Sequence, residues 1–170
     1  MRIGNINSGR FLPTNMVYWP YDETLKRYFC KPGDLVISLT GTVGKDDYAN
    51  ICRLSDEYEL YYLNQRNAKL ILRETVLPEF ITILLANDAV KTTLTNAGQG
   101  VRQANISNSD ILNLVVPIPK IADQRQFAEV VQQIDKSKYV AYQFTLFLEK
   151  LVKYELQSLS QEECICSLKM

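Results

Sequence analysis

Phe127, Ile134, Ala141 and Leu148 fall seven residues apart, and so do Val130, Ser137, Phe144 and Leu151. Seven of these eight positions are apolar, with Ser137 the exception. A helix brings such columns together as one seam along a single face. Four heptads are enough for the seam to predict a coiled coil. The pattern therefore predicts one long helix, residues 120–158, that leaves its domain and pairs with another helix. The alternative is a long amphipathic helix lying on its own domain. After Ser158 the composition turns polar around a C-x-C, which predicts a frayed tail over residues 159–170.

Before Pro119 the pattern has a different period. "MRIGNI", "DLVISLT", "ANICRL", "LYYL", "AKLIL" and "LNLVVPIP" read as short strands, rich in β-branched and aromatic residues. "LPEFITILLANDAVKTTL" reads as a helix opened by Pro78, its apolar stripe made by Phe80, Ile81, Leu84, Leu85 and Ala89. Ser107 followed by Asp110 predicts a capped helix start, with Ile106 and Ile111 as its hydrophobic staple. Asp123 followed by Gln126 reads as the capping pair of the long helix. The expected fold class is α+β: a curled mixed or antiparallel sheet with a packed helix over residues 1–119, then the long coiled-coil-forming helix.

Several chemistries are excluded by residue type. The chain has no histidine, which removes the commonest general base and the Ser-His and Cys-His nucleophile pairs. Cys30, Cys52, Cys164 and Cys166 are too scattered for a structural zinc site or a disulfide framework. "SLTGTVGKDD" looks like a phosphate loop but lacks its elements. Leu39 stands where the first glycine belongs, and Asp46 follows Lys45 where a hydroxyl is needed. A glycine turn after a strand is the simpler expectation, and a turn offering Thr40, Thr42 and Lys45 to an anion is the other. The 12 basic and 12 acidic residues up to Pro119, and the 7 and 7 after it, argue against strong nonspecific polyanion binding. Apolar runs are short and no leader pattern opens the chain, so a cytoplasmic protein is expected.

"GDLVISLTGTVGK", "NQR", "PEFITILLAN", "GQGVRQANISNSDILNLVVPIP" and "DQRQFAEVVQQID" occur in the order found in specificity subunits of type I restriction–modification systems, which the chain resembles from Arg2 to Lys138. The resemblance implies a target recognition domain followed by a conserved spacer helix, with no catalysis and no cofactor of its own. It implies double-stranded DNA, a methyltransferase subunit carrying S-adenosylmethionine, and a motor-nuclease subunit as partners. Complete subunits of that family hold two recognition domains and two spacers. One of each implies a half-subunit that homodimerises, or pairs with another specificity-subunit helix, to read a split site. "MRIGNINSGRF" resembles a segment inside the recognition domain, so the domain's opening strand is expected to be lacking, as in a truncation or a recombination cassette. A fragment acting only in protein assembly is the alternative function.

Base edges are read by paired donors and acceptors. The candidates in turns are Asn5, Asn7, Arg10, Gln65, Arg66, Gln99, Arg102 and Gln103, while Thr40, Thr42 and Lys45 suit phosphate oxygens. Turn formation explains the same residue types equally well. Motifs shared by subunits that read different sequences cannot themselves encode the sequence. Base readout is therefore expected in the intervals Tyr18–Arg27 and Asp46–Tyr61. The tyrosines there, Tyr18, Tyr21, Tyr48, Tyr58, Tyr61 and the adjoining Tyr62, serve either DNA contact or sheet packing.

Overall fold

The computed structural model describes residues 1–6, 9–42, 44–45, 47–97 and 104–166, with backbone alone for residue 97 and residues 158–166. The chain divides into two units, Met1–Arg125 and Gln126–Met170. In chain order the elements are β1 (Phe29–Cys30), β2 (Leu35–Ser38), β3 (Thr40–Gly41), β4 (Ile51–Arg53), β5 (Tyr61–Tyr62), β6 (Asn67–Leu70), α1 (Pro78–Ala86), α2 (Asp88–Ala97), β7 (Ala104–Asn105), α3 (Asn108–Leu112) and α4 (Ile121–Cys166). Short 3₁₀ turns cover Ile3–Asn5 and Glu23–Tyr28. The architecture is mixed α+β, and every strand pair among the described residues is antiparallel.

β2 organises the first unit. Pro32-Gly33 turns the chain into it: Gly33 has φ +84, and Asp34 N–H donates to the Lys31 carbonyl at 3.1 Å. Proline at the second turn position and a glycine of positive φ at the third suit a type II turn. β2 then lies between β4 and β6, with Val36 opposite Cys52 on one side and Lys69 on the other. All four of its residues are buried because both faces are covered. Leu35 and Ile37 pack with Ile51, Ile81, Leu85, Leu94 and Ile106, while Val36 packs with Ile6, Cys30, Cys52, Leu54 and Tyr61. Burial pushes the Cys30 and Cys52 thiols up to about 11 and about 12, which keeps them unreactive.

Leu39 passes the chain from one pairing to the next. Its N–H donates to the Arg66 carbonyl and its own carbonyl accepts from Ile106 N–H, both at 2.8 Å. β3 then pairs with β7, Thr40 opposite Asn105. The expected capping box is present: Asp110 N–H donates to Ser107 Oγ at 3.2 Å, and Ser107 N–H donates to Asp110 Oδ2 at 2.7 Å. Ile106 is buried, and Ile111 packs on the same core.

Four local expectations are corrected. "MRIGNI" is a 3₁₀ turn rather than a strand, because the Asn5 side chain accepts from Arg2 N–H at 2.7 Å and bends the backbone. The single helix expected from Pro78 is two. Asn87 is extended, with ψ 134, and its Oδ1 accepts from Ala89 N–H at 3.0 Å to start α2. "LNLVVPIP" forms no strand among the described residues, since Pro117 and Pro119 cannot donate to a ladder. α4 runs to Cys166 rather than ending near Ser158, as no glycine or proline follows Pro119 to stop it.

The start of α4 is not held by the expected pair. The helix begins at Ile121, so Asp123 already lies within its first turn. Gln124 holds it instead. This residue is fully buried; its Oε1 accepts from Leu77 N–H at 2.8 Å, and its Nε2 donates to the carbonyls of Thr75 at 2.9 Å and Pro119 at 2.8 Å.

Candidate nucleic-acid interface

The turn after β3 closes on a carboxylate. Thr42 N–H donates to Asp47 Oδ1 at 2.7 Å, and the Thr42 hydroxyl donates to Asp47 Oδ2 at 2.8 Å. The Thr42 N–H foremost, with its hydroxyl in support, holds the Asp47 carboxyl below its ordinary value. Asp47 thus takes the donors of Thr42 that a phosphate loop would offer its anion. Gly44 sits at φ +76, and Lys45 N–H donates back to the Thr42 carbonyl at 3.0 Å.

Gly41 is required by packing rather than by φ. A Cβ there would meet the Asp47 carboxylate and lie 2.7 Å from both Cβ and Cδ1 of Tyr48. Tyr48 is buried against the helix-side core and reaches the Thr95 carbonyl. Gly41→Ala is therefore expected to cost about 1–3 kcal/mol through overpacking. A urea titration of the purified chain reads this as a lowered midpoint at unchanged slope.

Two candidate groups meet at one end of the sheet. Thr40 and Lys45 leave the C-terminal end of β2, while Gln65 and Arg66 form the turn that enters β6. Leu39 joins them through its bond to the Arg66 carbonyl. The side chains of Lys45, Gln65 and Arg66 are exposed, and Thr40 is half-buried. Asn5, expected to face DNA, does not. It is 1% exposed, and its Nδ2 donates to the carbonyls of Leu12 and Thr14, both at 2.8 Å, so its amide is consumed in shaping the N-terminal loop. Arg10 is exposed beside that loop. Asn7, Gln99, Arg102 and Gln103 lie outside the described residues.

The tyrosines divide by role. Tyr48 and Tyr61 are core residues. Tyr58 and Tyr62 are half-buried and hold the segment Val17–Asp22. The hydroxyls of Tyr18 and Tyr58 are 3.1 Å apart, with their rings edge to face at 6.1 Å. The Tyr62 hydroxyl accepts from Asp22 N–H at 2.9 Å and donates to the Pro20 carbonyl at 3.1 Å. Tyr21 bonds Glu23 and packs on Phe29. Between these anchors Trp19 stands 70% exposed. The sequence signals a loop of aromatics but not its clamps, which lie about forty residues downstream.

In the second unit the seam residues of α4 are uncovered. Val130, Ile134, Phe144, Leu148 and Leu151 are exposed, Ala141 and Ser137 likewise, and Phe127 is at the boundary of exposure. Val140, Phe147 and Tyr154, again seven apart, are exposed in a third column beside the Phe144–Leu151 column.

The family model described as type I restriction modification DNA specificity domain matches residues 2–140. The chain is 27% identical over 139 residues to the type I restriction enzyme MjaVIII specificity subunit of Methanocaldococcus jannaschii, covering 79% of this chain and 32% of that protein. It is 23% identical over 146 residues to the type I restriction enzyme EcoBI specificity subunit of Escherichia coli, covering 79% of this chain and 28% of that one. A chain from a solved structure on the complex assembly and conformational transition of the type I R-M system shares the fold, with a TM-score of 0.54 and 15% identity over 79% of this chain and 29% of that chain. The chain thus spans about a third of the length of the curated relatives it matches.

Proposed function

The chain belongs to the family of type I restriction modification DNA specificity domains, and from that membership we propose that it reads one half of a bipartite duplex site and docks methyltransferase subunits through α4. Residues 1–119 form the recognition domain in this proposal, 120–158 the spacer, and 159–170 a polar tail.

The observation that carries the proposal is the uncovered apolar surface of α4. An exposed stripe of this length calls for a partner in solution. The column pair from Phe127 to Leu151 suits pairing with a second specificity-subunit helix, through a copy of the same chain. Val140, Phe147 and Tyr154 widen the face beyond the two columns that a coiled-coil seam needs. That third column suits a helix of the methyltransferase subunit. On the recognition domain, exposed Lys45 and Arg66 with Thr40 at one sheet end suit phosphate and base contacts. The chain itself supplies no catalysis. Methylation, with S-adenosylmethionine, and cleavage belong to the methyltransferase and motor-nuclease subunits.

Light scattering with DNA retention on the purified chain, alone and with the methyltransferase subunit of its own system, tests this. The expected result is a dimer that holds duplex DNA once the methyltransferase is added, with affinity falling as salt rises. A complex that assembles and never retains DNA would instead leave α4 as the working part and make the chain an assembly module.

A further inference from the structure

We infer that the clamped loop Val17–Asp22, with Trp19 at its apex, is the base-reading element of the recognition domain, an assignment that rests on the DNA-reading function proposed above. Three observations carry it. Trp19 is a large side chain held 70% exposed, flanked by exposed Tyr18 and Tyr21. Exposed aromatic clusters of this kind mark interaction sites. The loop is also pre-organised. Tyr58 holds it at Tyr18, and the single hydroxyl of Tyr62 fixes both the Pro20 carbonyl and Asp22 N–H. A contact element fixed in this way loses little conformational freedom on binding.

The third observation selects the occupant. Tyr18–Asp22 and Tyr58 lie in the two intervals where base readout is expected, and the fold brings them together across forty residues of sequence. The family model that the chain matches describes a DNA specificity domain, so duplex DNA is the occupant. Charge then separates bases from phosphates. In the turn that follows the loop, Lys26 is paired with Glu23 at 3.0 Å, and Arg27 lies over the Tyr28 ring at 4.6 Å. Asp22 ends the loop and Glu23 follows it, and these carboxylates would oppose a phosphate. Base edges carry no net charge. The indole offers one N–H donor and an apolar face, which suits a base acceptor together with a thymine methyl group.

The test is selection from a pool of duplexes with a randomised core, using the full chain in complex with its methyltransferase, followed by sequencing. Trp19→Ala is expected to reduce enrichment at one or two base pairs by roughly tenfold. Retention of nonspecific duplex and its salt slope should stay unchanged. Tyr62→Phe, which removes the clamp on Pro20 and Asp22 and leaves Trp19 in place, should blur the same positions. An unchanged motif in Trp19→Ala overturns the assignment while the DNA-reading function stands. Uniform loss over all sequences with a shallower salt slope overturns it in favour of a backbone contact. Loss of methyltransferase binding overturns it in favour of a protein contact. A wild-type complex that enriches no motif removes the DNA-reading function, and the assignment with it.

Discussion

Gln124→Leu is expected to destabilise the Met1–Arg125 unit by about 2–4 kcal/mol. The change keeps volume, so no cavity opens and the effect is polar. It leaves Leu77 N–H and the carbonyls of Thr75 and Pro119 without their partner in a place where Gln124 itself is fully buried. An orphaned group costs about 1–3 kcal/mol, toward the low end for the two carbonyls because Thr75 and Pro119 are exposed residues. Against a total stability of about 5–15 kcal/mol, three of them remove much of the margin. Thermal unfolding should fall by on the order of 10–20 °C.

Gln124→Glu sharpens the expectation. Its carboxylate can still accept from Leu77 N–H, but it turns the other oxygen toward two carbonyls. The protonated form is then favoured in the folded chain, so the folded pKa lies above the unfolded value of about 4.3. The variant should resemble wild type most closely below pH 4 and lose stability as pH rises from the unfolded value through the higher folded one. A Gln124→Leu chain within about 1 kcal/mol of wild type would mean that these bonds do not hold the start of α4.

That residue also shows what the sequence reveals and what it does not. Gln124 stands in a quoted motif, yet its partners Leu77 and Thr75 lie 47 and 49 residues upstream, beyond the reach of a local pattern. The same holds for Gly41. Its glycine signal reads as a turn, while the requirement comes from the Asp47 carboxylate and the Tyr48 side chain against the backbone. Features set within a few residues were legible. The β2 strand within "DLVISLT" and the Ser107–Asp110 box both follow from spacing and residue type. Asn5 misled because asparagine serves a turn and a base edge with the same amide, and only burial separates the two uses. Asn87 ended a run whose apolar period continued through it, because its side chain offered the backbone a cap.

The α4 seam can be tested as sharply. Leu148→Asp and Phe144→Asp are each expected to abolish self-association and leave the Met1–Arg125 unit folded. Each removes the burial of a large apolar side chain, about 1.5–3 kcal/mol. Each also forces an unpaired carboxylate into the seam, at a further cost of several kcal/mol. In a symmetric pair every substitution occurs twice, so the loss exceeds about 5 kcal/mol and weakens pairing by more than 10³-fold. Ser137 does not contradict a buried seam. Its hydroxyl donates to the Gln133 carbonyl at 2.9 Å, so it enters the interface already satisfied. Val140→Asp and Phe147→Asp, on the third column, provide the contrast: self-association should survive while methyltransferase docking weakens. Sedimentation of the four variants, with and without the methyltransferase, separates the two faces. A dimer that survives both Leu148→Asp and Phe144→Asp would show that α4 does not pair through this seam.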